Sequence, residues 1–305
     1  MLGFGLGLNK WRRVGGGFVG LLDLYPNAAF APSIRLLRKN YSGGLVRARA
    51  WDGLANQGEA DVMAYRVSST EYLIDLNSTL ENLDATAIGR GLTTSDTLAD
   101  LVSTGASDYD GLVSAWYDQS LSNNATQSTA AAQPKIVSGG SLVTENGKPA
   151  VDFDGVDDYL RNTDLISNQP TTHHLVAKAN NIGILTRFTD GGVNSSSRNS
   201  IYQNVSSFQY FSGNNLTGDL ENTNQNLHYY LVNGVSSEIA INGAAALTGD
   251  SGGYDLNGIT FGARWDGAAQ FSDVIIQELI IYPSDQSSNR TAIETNINTF
   301  YSIYP

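Results

Sequence analysis

An all-β sandwich is the fold this sequence predicts, and three observations predict it. Charged residues make up only 16% of the chain, while 32 of its 305 residues are glycine. With Asn, Ser and Thr between the apolar stretches, this is a turn-rich composition with ample Val, Ile, Leu, Phe and Tyr for a core. Apolar residues alternate at period two over most of the chain, the spacing of strands with one buried face. Asn-Gly pairs at 146–147, 233–234, 242–243 and 257–258 mark sharp reversals, because both residues tolerate the positive φ that a tight hairpin needs.

The elements follow in order. Residues 1–20 carry seven glycines and the cluster Lys10, Trp11, Arg12 and Arg13. Such a segment has little side chain to bury and much backbone freedom to lose, so it is expected to be a flexible anchoring arm that takes shape only against a partner. One domain, residues 21–305, is expected after it. Ser33 to Arg38 and Leu45 to Arg49 read as a strand pair turning at Asn40-Tyr41-Ser42-Gly43, and Val62, Ala64, Tyr72, Ile74 and Leu76 suggest a second pair. Leu80, Leu83, Ala87 and Ile88, then Leu98, Leu101 and Val102, follow the 3.6 period of a short helical insertion, with Ser95 or Asp96 as an N-cap. After residue 105 the pattern is β again, and the strand at Val235 to Ile241 is read as the return of a tight hairpin through Asn233-Gly234. Val274 to Tyr282 is almost continuously apolar, as a strand with both faces covered should be. Ile293, Ile297, Phe300 and Tyr304 then predict a C-terminal helix.

Composition bounds the function. No cysteine is present, so neither a disulfide framework nor a thiolate metal site can form, and assembly in a reducing cytoplasm is the expectation. No apolar run approaches the roughly 18 residues of a membrane span, and the basic cluster follows the first apolar residues, the wrong order for a secretory signal. Residues 1–50 hold eight Lys or Arg and one Asp; that balance of +7 within an overall −12 leaves −19 for the remainder. Alternation of Arg47 and Arg49 with Val46 and Ala48 accounts for two of these charges as the wet face of a strand. A basic arm ahead of an acidic body also suits docking or self-assembly, whereas nucleic acid would be repelled by the body.

Few residues suggest chemistry directly. The Asp152 to Asp158 run could be read as a calcium loop, but it lacks EF-hand spacing and reads better as a strand and turn with Phe153 and Tyr159 inward; no metal site is expected. Asp118 is expected to tie down its following loop by accepting backbone N–H groups. His173 and His174, adjacent on a strand, face opposite ways and cannot share a metal. No phosphate-binding glycine motif appears, and no cofactor is expected. Aromatic rings in loop-rich contexts, above all Trp265 beside Asp266, and Tyr210, are candidates for stacking on a sugar.

Four segments carry a family resemblance: Ser33 to Arg49, Val113 to Leu160, Phe261 to Arg264, and Ile276 to Asp285 with the helix after it. Together they resemble the catalytic domain of the α-L-arabinofuranosidase B family, a concanavalin-A-like jelly roll, and its non-catalytic relatives in bacteriophage and bacterial surface proteins. The resemblance spans roughly residues 22 to 305 and implies that fold. In that family the nucleophile is the Glu of an Asp-x-Glu-Asn segment, which Asp219-Leu220-Glu221-Asn222 matches in letters, and the acid/base is an Asp in the loop entering the closing strand, where Asp266 falls. Glu221 lies closer to the following hairpin than the family's Glu does, and alignment on Phe211-Ser212-Gly213 places Ser207 at the nucleophile instead. The absence of cysteine also departs from the family's disulfide at the sugar site. The expectation is therefore a non-enzymatic bacteriophage virion protein (capsid-surface, head-fibre or tail-associated), assembled in the host cytoplasm. It would form a homo-oligomer and contact other virion proteins through its arm, with Trp265, Asp266 and Tyr210 turned to a surface glycan and Glu221 a solvated loop residue. The alternative is a retaining glycoside hydrolase acting on arabinofuranosyl side chains through Glu221 and Asp266.

Overall fold

A computed structural model describes residues 17–120, 123–194 and 197–305. Among these residues the chain is nearly all antiparallel β. Strands β1 (Val46–Trp51), β2 (Asn56–Val62), β3 (Asp110–Trp116) and β4 (Lys135–Ser138) pair in the order β2-β1-β3-β4. β5 (Val151–Asp154) bridges β4 to the closing strand β15 (Asp273–Tyr282), which pairs on its other side with β7 (Thr171–Ala179). β7 continues to β12 (Asn226–Val232) and β13 (Ser237–Ile241). A third run, β6-β14-β8-β9-β10-β11, joins Leu160–Ser167, Leu256–Phe261, Thr186–Asn194, Ser197–Gln203, Phe208–Phe211 and Asn215–Thr217. The curved sheet closes over one core, in which Trp116 of β3 packs on Phe261 of β14 with ring centres 5.4 Å apart, and Phe30 joins at 6.1 Å. A jelly-roll sandwich is thus the observed architecture.

Local sequence explains most of these elements. Asn146 and Gly147 take φ of 49° and 71°, as do Asn242 and Gly243 at 54° and 72°, closing tight turns as expected. The closing strand β15 lies between β5 and β7 and is buried along most of its length, as its almost continuously apolar sequence requires. Short helices α1 (Ala85–Gly89) and α2 (Leu98–Leu101) form the helical insertion, and α3 (Arg290–Tyr301) lays Ile293, Ile297 and Tyr301 on the core. The N-cap of α2 is Thr97, in a capping box with Asp100, rather than Ser95 or Asp96; Asp96 instead accepts from the N–H of Thr93. Asp118 accepts the N–H groups of Ala31, Ser120 and Asn123 and so fixes its loop.

Three expectations are corrected. Ser33 to Arg38 makes isolated bridges to Glu278 and Leu73, and β1 pairs with β2 and β3 instead. Asn233-Gly234 does not form a tight turn: Asn233 stays at φ −152° and a 3₁₀ turn over Gly234–Ser236 follows. Side chains select that longer loop, since the Gly234 N–H donates to Gln169 Oε1 and the Asn233 N–H to Ser237 Oγ, both at 2.8 Å. Asn257-Gly258 lies within β14, where Gly258 at φ 74° accommodates a shift in register against β6.

The cluster Lys10, Trp11, Arg12 and Arg13 lies outside the described residues. At the end of the proposed arm, Phe18 is 4% exposed and sits edge-on to Tyr72 at 5.1 Å. Residues 17–20 therefore belong with the body.

Candidate functional site

Cross-strand pairing decides which polar side chains share a face. Arg161 on β6 pairs with Thr260 on β14, Thr260 with Asp190 on β8, and Asp190 with Ser200 on β9, so these four side chains point the same way. Two residues along β9 in either direction, Arg198 and Tyr202 fall on that same face. Opposite it, Ile201, Phe188 and Phe261 enter the core. Alternation along β9 and β14, with a register shift between Arg187 and Thr189 of β8 that turns Phe188 inward, thus presents a polar sheet face, and the loop 262–272 between β14 and β15 folds back over it.

Asp190 anchors this arrangement. It is 0% exposed, forms ion pairs with Arg198 and with Arg187 at 3.4 Å, and accepts the Trp265 N–H at 3.1 Å. Burial pushes its carboxyl above the ordinary range, while the two arginines and the Trp265 N–H pull it back. Arg187, whose pKa burial lowers, donates to Ser200 Oγ at 2.7 Å and Gln270 Oε1 at 3.0 Å and lies over the Tyr202 ring. These contacts hold the loop: Thr260 Oγ1 donates to the Trp265 carbonyl, and Arg264 forms a two-pronged pair with Asp266 at 2.8 and 2.6 Å. Arg264 holds the Asp266 carboxyl below its usual range.

Trp265 and Asp266, both half-buried, lie in the loop over this face. Tyr210 is not with them. Its ring is 1% exposed, set between His173 at 5.4 Å and Tyr230 at 5.2 Å, and its hydroxyl donates to Asn199; neither face is open to a ligand, because inward-facing positions of β10 fill the core. Glu221 lies in the loop before β12, half-buried, with its Oε2 buried without a hydrogen-bond partner. Among the described residues no hydrogen bond or ion pair joins Glu221 to Asp266. Ser207, at the alternative nucleophile position, is buried and accepts from Gln209 Nε2.

The arginines were missed by sequence reasoning. Arg161, Arg187, Arg198 and Arg264 are scattered over some hundred positions, and only register brings them to one face. The alternation Arg198-x-Ser200-x-Tyr202 was the one local signal. The carboxylates of Asp154, Asp157 and Asp158 bring one oxygen each within 4.8 Å of one another, and two of the three carboxylates accept turn N–H groups: Asp154 Oδ1 from Val156 and Asp157, Asp158 Oδ2 from Asp154. Phe153 points inward as expected, whereas Tyr159 is half-buried against Phe271.

With this geometry in view, comparison with solved structures identifies the architecture. A GH54 α-L-arabinofuranosidase soaked with a cyclic sulfate inhibitor superposes with a TM-score of 0.61 at 15% identity, over 92% of this chain and 65% of that one. The fold is arabinofuranosidase-like. An arabinofuranosidase complexed with arabinofuranosyl-α-1,2-xylobiose matches with a TM-score of 0.58 at 15% identity, over 92% of this chain and 64% of the other. A GH54 variant soaked with 4-nitrophenyl α-L-arabinofuranoside gives 0.57, again at 15% identity and with 92% and 65% covered. This chain thus spans less than two thirds of the length of these enzymes. No family model matches the sequence, and no curated protein does. The expectation of a non-enzymatic protein is overturned by these neighbours, which are glycoside hydrolases caught with inhibitor or substrate. At this identity the likeness establishes the fold, and activity is argued separately.

Proposed function

We propose that this arabinofuranosidase-like domain is a glycoside hydrolase acting on arabinofuranosyl side chains, with the face around Trp265 and Asp266 as its substrate site. The observation that carries the reading is the superposition over 92% of the chain together with Asp266 in the loop that enters the closing strand. Trp265 offers an apolar ring for sugar C–H groups, and Asp266 a carboxyl for proton transfer. Because Arg264 keeps that carboxyl ionised, bound substrate must draw Arg264 away before Asp266 can carry a proton. Glu221, with its unpartnered Oε2, is the second carboxyl assigned to the reaction.

The test is release of 4-nitrophenol from 4-nitrophenyl α-L-arabinofuranoside. Wild-type turnover is expected, with Asp266→Asn lowering kcat by ~10²- to 10⁴-fold and Glu221→Gln by a similar factor. Absence of turnover between about pH 4 and 8, or turnover indifferent to Asp266→Asn, overturns the reading.

A virion surface is the location proposed with it, supported by the basic, glycine-rich residues 1–16 ahead of an acidic body. Deletion of residues 1–16, leaving Phe18 in the core, is expected to convert an associating protein to a monomer in size-exclusion chromatography. Unchanged elution would count against an anchoring role.

A further inference from the structure

We propose that the polar face recognises a carboxylate-bearing glycan, such as a uronic-acid oligosaccharide, with Arg161 as the carboxylate ligand and Trp265 as the platform for the sugar ring. The inference rests on the carbohydrate reading above and adds the charge of the substrate. The contacts around Trp265 join four arginines, Arg161, Arg187, Arg198 and Arg264, to two aspartates, Asp190 and Asp266. That is an excess of two positive charges on a protein whose net charge is −12. Clustering of cations on an acidic body costs free energy through mutual repulsion, and an anionic ligand relieves it.

The partners are unevenly shared. Asp190 takes Arg187 and Arg198, and Asp266 takes Arg264 with both oxygens. Arg161 has no carboxylate and no hydrogen-bond acceptor among the described residues. Its guanidinium lies over the Trp265 ring, 6.0 Å from the centre, and its side chain is half-buried. A guanidinium held over the ring at this distance still has its N–H groups to offer, and these grip a carboxylate through two parallel hydrogen bonds. The Trp265 backbone is itself held, its N–H donating to Asp190 and its carbonyl accepting from Thr260. Arg161 and Trp265 therefore form a preorganised pair whose unused groups are one cationic fork and part of one aromatic surface. A neutral sugar would use only the second.

Isothermal titration of the full chain with tetragalacturonate, with its methyl ester, and with inorganic phosphate tests this. Tetragalacturonate is expected to bind about tenfold or more tighter than the ester, less tightly as salt rises. Arg161→Gln is expected to remove that preference with no change in thermal midpoint, and Arg161→Lys to restore it only partly, since the charge returns without the fork. Equal affinity for acid and ester, no binding of either, or a preference that survives Arg161→Gln overturns the proposal. Phosphate binding as tightly as the uronate would overturn its sugar-specific part. Hydrolysis of the neutral arabinofuranoside without preference for acidic glycan sinks this inference alone. Arg161-dependent uronate binding without any glycoside turnover sinks only the hydrolase.

Discussion

Acidification below about pH 6.5 is expected to unfold this protein steeply, because its three histidines are buried uncharged. Each has its pKa pushed down from 6.5 to about 3, burial being the largest cause. His173 packs on Tyr210 and shares a hydrogen bond with Thr171 Oγ1, and His228 lies against Phe188, Phe208 and Tyr230. His174 sits between Tyr229 and Tyr282 with both ring nitrogens unpartnered, and Arg290 further opposes its protonation. A folded pKa below the unfolded one means that the unfolded chain takes up protons first. The stability these groups allow is intact above about pH 6.5 and is lost as pH falls toward 3. Asp158 acts oppositely: burial raises its pKa to about 7, so the folded chain binds that proton first. Three protons against one leave a slope of ~2.7 kcal/mol per pH unit, enough to consume a typical domain's stability within a few units. Asp152, Asp190 and Glu294, whose pKa values burial also raises, offset part of it toward the acid end. Urea unfolding at pH 7, 6 and 5 measures the slope, and a flat profile would contradict it. His174→Phe, which keeps the aromatic contacts and removes both unpartnered nitrogens, is expected to shallow the slope by about one proton.

Removing the charge of Glu278 is expected to cost ~3 to 5 kcal/mol. Glu278, 0% exposed, receives Arg35 through Nε at 2.7 Å and a terminal nitrogen at 2.9 Å, and Ser33 Oγ at 2.7 Å. Arg35 also donates to Asn296 and lies over Phe300 of α3. The pair thus pins the entry segment, the closing strand and the C-terminal helix together. Glu278→Gln keeps the shape but strands a buried guanidinium, whose desolvation nothing then offsets. The Arg35→Leu, Glu278→Leu double variant should recover much of the loss, since it leaves no unpaired charge. A double variant less stable than Glu278→Gln in urea would show that hydrogen bonding to Ser33 and Asn296, rather than the uncompensated charge, dominates.

Sequence by itself determined what rests on local backbone preference and periodicity. Asn146-Gly147 and Asn242-Gly243 turn where they must, because few other pairs tolerate two successive positive φ values. The mostly apolar run from Val274 to Tyr282, broken only by Gln277 and Glu278, was best satisfied between two neighbours, and Ile293 and Ile297 could only face a core. Asp118 tied its loop from within a few residues. What tertiary structure alone decided was pairing between segments far apart in the chain. Tyr210 and Trp265 look alike as aromatic residues beside polar ones, yet Tyr210 fills the core because strand register turns it inward, whereas Trp265 flanks a polar face because its loop is held there by Asp190 and Thr260. Arg187 and Arg198 meet Asp190 for the same reason. Asn233-Gly234 missed its tight turn because Gln169, some sixty positions away, captured the glycine N–H. Local conformational energies act over a few residues and can be read there, whereas charge pairing and burial are set by whichever distant strand lies alongside.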